Sequence, residues 1–189
     1  MKNRALFLDR DGVINRDDGY VFEVEKFVFL DGIFELARAA KALGYMCVVV
    51  TNQAGIGRGY YSEDDFLRLS DWMKGVFATE GAPIDGVYFC PTHPEHGIGR
   101  YKVESEFRKP NPGMILAAQH DFDLDLGASL IVGDKESDIR AGLTAGVGKT
   151  LLVCDQDTPR VTTAANAVVR NPRDVIQYLT ALGPESGSC

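Results

Sequence analysis

The sequence predicts an α/β fold, a doubly wound parallel sheet sandwiched by helices. Six short runs predict the strands: ALFL at 5–8, MCVVV at 46–50, VYFC at 87–90, SLIV at 129–132, TLLVC at 150–154 and AVVR at 167–170. They are rich in β-branched residues and show no polar alternation, the pattern of strands buried on both faces. Helix-length segments separate them, and regular alternation of strand and helix gives a parallel sheet covered on both sides. With 189 residues, 45% apolar and 25% charged, the chain can bury one sizeable core without staples.

Taken in order, the first strand ends abruptly at Asp9-Arg10-Asp11-Gly12. The segment 16–32 follows and resists assignment. A helix over 33–44 ends in Gly44, a C-cap residue. The second strand ends at Thr51-Asn52-Gln53, followed by the flexible AGIGRG. The helix over 62–81 opens with Ser62 as N-cap and acids in its first turn. After the third strand, 91–110 again resists assignment, and loops of that length in a compact domain are usually functional. The helix over 111–122 places Asn111 as N-cap and Pro112 at its first position. The fourth strand runs into Gly133-Asp134-Lys135-Glu136-Ser137-Asp138, opening a helix over 136–146, and a last helix covers 171–183. One domain is expected over 1–183, with 184–189 as a frayed tail.

A net charge of −7 argues against a nucleic-acid or anionic-membrane surface. No run of about 18 apolar residues spans a membrane, and the N-terminus lacks the apolar core of a signal peptide. Cys47, Cys90, Cys154 and Cys189 are scattered, which suits reduced thiols in a cytoplasmic protein. No exposed apolar stripe demands a partner, so a monomer is expected.

In a doubly wound sheet, ligands bind beyond the carboxyl ends of the strands. That edge would collect Asp9, Asp11, Thr51, Asn52, Arg108, Lys109, Asp134, Lys135 and Asp138. Oxygen-only carboxylate sites suit Mg²⁺. Lysine, a hydroxyl and backbone N–H groups can hold the oxygens of a phosphoryl group. One carboxylate can attack phosphorus, and a second, two residues on, can move the proton. Each piece alone reads as ordinary turn or loop chemistry; jointly they form a site. A receiver-type phosphoacceptor module has a similar inventory, but with its acid pair and acceptor aspartate on different strands.

With these motifs, LFLDRDGVIN (6–15), VVVTNQ (48–53), RKP (108–110) and VGDKESD (132–138), the chain resembles the haloacid dehalogenase-like (HAD) phosphatase superfamily over nearly its whole length. The resemblance implies an Mg²⁺-dependent phosphomonoesterase without a large cap domain. Asp9 would be nucleophile and metal ligand. Asp11 would be general acid/base and offer the metal its backbone carbonyl, and Asp134 would be the second metal carboxylate. Thr51 and Lys109 would hold the transferring phosphoryl group. Arg108 would recognise substrate, assisted by Asp17, Asp18, Gly19, Tyr20, Asn52, Gln53, Ala54 and Lys135. DGYV (18–21) and TNQAGIGRG (51–59) resemble members that remove the C7 phosphate of a heptose 1,7-bisphosphate, ahead of the histidinol-phosphate phosphatases that share DRDG and TNQ. Arg58 and Lys102 are the expected contacts for a second phosphate.

The chain departs from the family between 90 and 107. Zinc-bearing members have Cys-x-His and Cys-x-Cys there; here the positions read Cys90-Pro91-Thr92 and Ser105-Glu106-Phe107. Serine and phenylalanine cannot complete a tetrahedral zinc shell. Zinc is therefore not expected, although Cys90, His93 and His96 are the residues to watch. Ile98, Tyr101 and Phe107 are expected to pin the loop in its place. Trp72 reads as core and His120 as surface.

Overall fold

The structure, a computed structural model, describes residues 2–154 and 162–179. Its strands are β1 (Arg4–Leu8), β2 (Tyr45–Asn52), β3 (Gly86–Cys90), β4 (Leu130–Gly133), β5 (Lys149–Val153) and β6 (Ala167–Val169). They form one six-stranded sheet in the order β3-β2-β1-β4-β5-β6, every pair parallel. The helices are α1 (Ile33–Ala42), the short α2 (Ala54–Gly57), α3 (Glu63–Thr79), α4 (Gly113–Phe122), α5 (Glu136–Ala145) and α6 (Ile176–Leu179). None of the described helices is long and apolar enough to cross a membrane.

Alternate residues of each strand feed opposite cores, as a two-residue side-chain period requires. Leu6, Leu8, Cys47, Val49, Leu130 and Val132 pack with Ile33, Leu36, Met73 and Phe77 of α1 and α3. Ala5, Phe7, Val48, Val50 and Ile131 pack with Met114, Ile115, Ala118 and Ala141 of α4 and α5. Burial at 0% exposure along Ala5–Leu8 is why β1 reads as an unbroken apolar run.

Strand β1 lies between β2 and β4, where the winding of the sheet reverses. This is the switch point at which doubly wound sheets bind ligands. Leu8 pairs with Val49 on one side and Val132 on the other, and the Asp9 N–H donates to the Val132 carbonyl at 3.0 Å. The ends of three strands are thus level.

Several elements differ from expectation. Strand β2 runs on to Asn52 because Thr51 and Asn52 pair with Phe89 and Cys90 of β3, so both are held in the sheet. The AGIGRG segment folds into α2. Asn111 does not cap α4: its Nδ2 donates to the Ser105 carbonyl at 3.0 Å, and Pro112 takes the N-cap position with no side-chain bond. Ser62 does cap α3, in a capping box with Asp65. Gly44 follows the C-cap Leu43 at φ +80°. The last helix begins as a 3₁₀ turn at Pro172–Val175 and is α-helical over Ile176–Leu179. Residues 180–183, the expected tail 184–189 and Cys189 lie outside the described residues.

The 16–32 segment contains one 3₁₀ turn, Val24–Lys26. It is anchored by Phe27 and Phe29, whose ring centroids lie 5.5 and 5.7 Å from Trp72; Trp72 packs against the core as expected. The 91–110 loop is not pinned by the apolar trio. Ile98 is 65% and Phe107 41% exposed, and only Tyr101 packs, beside Ile56, Tyr61 and Phe66. Backbone bonds do most of the work: Ile98 N–H to the Gly57 carbonyl at 2.8 Å and His93 N–H to the Tyr101 carbonyl at 3.0 Å. The Tyr101 hydroxyl adds a 2.6 Å bond to Glu63.

Candidate active site

The centre of the site is Lys109. Its ammonium lies 2.9 Å from Asp9 Oδ1 and 2.6 Å from Asp138 Oδ1, and it donates to the Val50 carbonyl at 2.7 Å. Lys109 is buried, like both acids. Burial alone would lower its pKa, but Asp138 and Asp9 outweigh that and raise it, so the ammonium is fixed in its charged form. Asn52 clamps the Lys109 backbone from both sides: Nδ2 donates to its carbonyl and Oδ1 accepts its N–H, each at 3.0 Å. The amide expected to bind substrate also places the lysine.

Asp11 sits in a second network. Arg10, 1% exposed, donates through Nη2 to both of its oxygens at 2.9 Å and to the Val21 carbonyl at 2.7 Å. Asn15 Nδ2 donates to Oδ1 at 3.0 Å and Gln53 Nε2 to Oδ2 at 3.1 Å. Gln53 also donates to Thr51 Oγ1 at 2.9 Å, and its own Oε1 accepts the Tyr61 hydroxyl at 2.5 Å. Thr51 Oγ1 thus accepts within the protein and, lining the cavity, keeps its own proton to donate. Arg10, Asn15, Tyr61 and Asp138 are the residues that sequence reasoning missed or left at the margin. A buried arginine between two acids leaves no periodic signal, and Asp138 reads as an ordinary first-turn acid of α5.

Asp9, Asp134 and Asp138 each bring a carboxylate oxygen within 4.8 Å of the others. Asp138 is already engaged, by Lys109 and by the Lys135 N–H at 2.9 Å. The oxygens open to a cation are those of Asp9 and Asp134, and Asp134 Oδ1 is buried without a partner. Five carboxylates (Asp9, Asp11, Asp17, Asp134, Asp138) face four cations (Arg10, Arg108, Lys109, Lys135), an excess of negative charge that a bound cation would offset. An oxygen-only set with water and substrate to complete an octahedron fits Mg²⁺. The Asp11 carboxylate is turned away from this cluster toward Arg10. Gly12, at φ +88°, makes room for the cluster: a Cβ there would lie 2.4 Å from Asp134 Oδ2.

Without a counter-ion these acids strain the fold. Burial, then Asp9, pushes Asp134 up to about 7; burial also raises Asp9, partly offset by Lys109. A carboxyl whose folded pKa exceeds its unfolded value destabilises the protein as pH rises between the two. We expect Asp134→Asn to raise the melting temperature in EDTA at pH 8 by about 5 °C, from about 2 kcal/mol of relieved charge, and by less at pH 5. Thermal melts at both pH values check this; an unchanged or lower melting point at pH 8 would remove the charge excess as a source of strain.

A cavity of about 510 Å³ opens over these groups, lined by Asp9, Asp11, Thr51, Lys109 and Asp138 at its floor. Asp17, Gly19, Tyr20, Asn52, Gln53, Ala54, Arg108 and Lys135 form its walls, with Ser137. Lys135 bridges Asp17 at 3.0 Å and Asp134 at 3.4 Å, tying the 16–20 loop to α5. Asp18 is not brought in: both of its oxygens are taken by Arg16, two residues away. Lys102 is exposed, and neither it nor Arg58 lines the cavity. In the 90–107 loop, Cys90 is buried with Sγ 3.3 Å from Thr92 Oγ1. His93 Nδ1 accepts the N–H groups of Glu95 and His96 at 3.3 and 3.2 Å. His120 is on the surface, its side chain 90% exposed.

The HAD-hydrolase-like family matches residues 106–182. A Burkholderia mallei protein, D-glycero-alpha-D-manno-heptose-1,7-bisphosphate 7-phosphatase, is 88% identical over 188 residues and is covered over 100% of both chains. An Escherichia coli K12 protein, D-glycero-beta-D-manno-heptose-1,7-bisphosphate 7-phosphatase, is 42% identical over 177 residues, 93% of each chain. Among solved structures, the D,D-heptose 1,7-bisphosphate phosphatase of B. bronchiseptica, complexed with magnesium and phosphate, superposes with a TM-score of 0.79. Its identity is 27%, over 94% of this chain and 98% of that one. A strand-end acid pair, a buried lysine between two carboxylates and relatives this close lead to one conclusion: the chain belongs to the heptose-1,7-bisphosphate 7-phosphatase family of HAD-like phosphatases.

Proposed function

We propose that this enzyme hydrolyses the C7 phosphate of D-glycero-D-manno-heptose 1,7-bisphosphate through an aspartyl-phosphate intermediate, with the α-anomer preferred. The observation that carries the chemistry is the division of the two acids: Asp9 sits against the buried Lys109 ammonium, and Asp11 is held by Arg10, Asn15 and Gln53. The anomer follows the relative at 88% identity, which is named for the α form, whereas relatives at 42–49% are named for the β form.

In this reading the Asp9 carboxylate attacks phosphorus, the bond from phosphorus to the C7 oxygen breaks, and the leaving oxygen takes a proton from Asp11. Water then attacks the aspartyl phosphate and gives its proton to Asp11, so phosphate leaves and both acids are restored. Lys109 and the Thr51 proton hold the non-bridging oxygens throughout. Mg²⁺, held by Asp9, Asp134 and the Asp11 carbonyl, would supply charge neutralisation for the transferring group. The network around Lys109 keeps that side chain in place without a cap, whereas Asp11 turns from Arg10 toward the leaving oxygen to pass its proton. Zinc has no part in this proposal.

Steady-state kinetics test it, using EDTA-treated enzyme on both heptose bisphosphate anomers and on histidinol phosphate, with Mg²⁺ restored. We expect the highest kcat/KM on the α-anomer, recovery with Mg²⁺ alone, and zinc well below stoichiometric by metal analysis. Higher efficiency on histidinol phosphate would overturn the substrate, and tightly held stoichiometric zinc would overturn the metal assignment. Asp11→Asn should lower kcat by about 10²- to 10⁴-fold, the usual size of a general acid/base contribution. A near-normal kcat would release Asp11 from that role.

A further inference from the structure

We propose that Tyr61 is a positioning residue for phosphoryl transfer: acting through Gln53, it keeps the Thr51 proton free for the transferring phosphoryl group. This rests on the aspartyl-phosphate reading above. The Tyr61 hydroxyl donates to Gln53 Oε1 at 2.5 Å and, among the described residues, has no other hydrogen-bond partner. Gln53 Nε2 in turn donates to Asp11 Oδ2 at 3.1 Å and to Thr51 Oγ1 at 2.9 Å. Thr51, Gln53 and Tyr61 are all buried, and all three line the active cavity.

A primary amide has a donor end and an acceptor end of nearly the same shape, so its neighbours decide which way Gln53 faces. Two groups do so here. Asp11, when ionised, can only accept, which draws the NH₂ end toward it, and Tyr61 donates to the opposite end. In that orientation Thr51 Oγ1 accepts from Gln53 and retains its own proton. With the amide turned over, the carbonyl would face Thr51 and take the hydroxyl proton in a hydrogen bond. The non-bridging oxygens would then be one donor short. Asp11 guards against this only at rest: it turns away to pass its proton, and a protonated carboxyl can itself donate to a carbonyl. At that stage Tyr61 alone distinguishes the two ends of the amide.

The ring is built to hold its aim. It stacks on Phe22, with centroids 5.0 Å apart and planes 12° from parallel, and packs with Ile56 and Phe66. Gly55 leaves the space for it: a Cβ there would lie 2.2 Å from the Tyr61 ring. Burial raises the phenol pKa, so the hydroxyl keeps the proton it donates. Gly55 of α2 and Phe22 of the 16–32 segment thus both seat the ring that orients Gln53.

Tyr61→Phe removes the hydroxyl and keeps the ring, and circular dichroism with thermal melts checks that the variant folds. On heptose 1,7-bisphosphate at saturating Mg²⁺ it should lower kcat by about 3- to 10-fold, the size of one hydrogen bond. KM should stay within about twofold, because the effect belongs to the transition state. The decisive comparison is a double-mutant cycle with Thr51→Val, which keeps the shape of threonine without its hydroxyl. In that background Tyr61→Phe should change kcat by less than about 1.5-fold, since no Thr51 proton is left to protect. Equal losses in both backgrounds would show a merely structural role and overturn the proposal. So would an unchanged kcat, or a loss confined to KM, which marks a substrate contact. Thr51→Val at wild-type kcat would overturn the phosphoryl-holding role of Thr51 and this proposal with it. A wild type inactive on the bisphosphate would overturn the function on which both rest.

Discussion

Replacing Asp9 by asparagine should abolish turnover, by at least about 10⁴-fold, while leaving the fold intact. An amide cannot form the aspartyl phosphate, and losing a covalent nucleophile removes the reaction route rather than weakening it. The structure also shapes what happens to stability. Asp9 is buried, and burial raises its pKa, which marks an ionised carboxylate that the fold holds at a cost. Its loss deprives Lys109 of one partner, but Asp138 remains at 2.6 Å and the Val50 carbonyl at 2.7 Å. The two effects oppose, so the melting temperature should stay within a few degrees of wild type. Phosphate release and far-UV circular dichroism decide the matter: activity within tenfold of wild type would remove Asp9 as nucleophile.

Lys109→Met should be the most damaging single change to stability at the site. It leaves Asp9 and Asp138, 7% and 1% exposed, facing each other with no cation between them. Breaking a buried ion pair by deleting one partner costs about 3–5 kcal/mol, because the other charge stays buried. Catalysis should also fall by about 10²- to 10³-fold, the usual loss for one donor to a developing oxyanion. Urea unfolding midpoints and kcat at saturating Mg²⁺ measure the two effects separately. A variant as stable as wild type would show that Lys109 does not hold this centre together.

The strands and the acid pair were legible because their signals are local. An unbroken β-branched run means burial on both faces, and Asp9-x-Asp11 follows the first run within one residue. What stayed hidden was which partner each polar side chain takes, near or far in sequence. Asn111 looks like a cap until Ser105 claims its amide. Asp18 looks like Asp17 until Arg16 takes both its oxygens. Asn52 lines the cavity and also clamps the backbone of Lys109, 57 positions away. Ile98 and Phe107 look like a hydrophobic clasp, yet backbone bonds hold the loop and both rest at the surface.

By itself the sequence determined the α/β class, the order of the strands along the chain and the types of residue that end them. Tertiary structure alone decided that β1 lies between β2 and β4, which places Asp9, Thr51 and Asp134 on one edge. It alone set Lys109 between two carboxylates and locked Asp11 against a buried Arg10. The reason is physical: side-chain periodicity records which face a residue buries, whereas charge pairing in a low-dielectric interior depends on distances that only the closed sheet establishes.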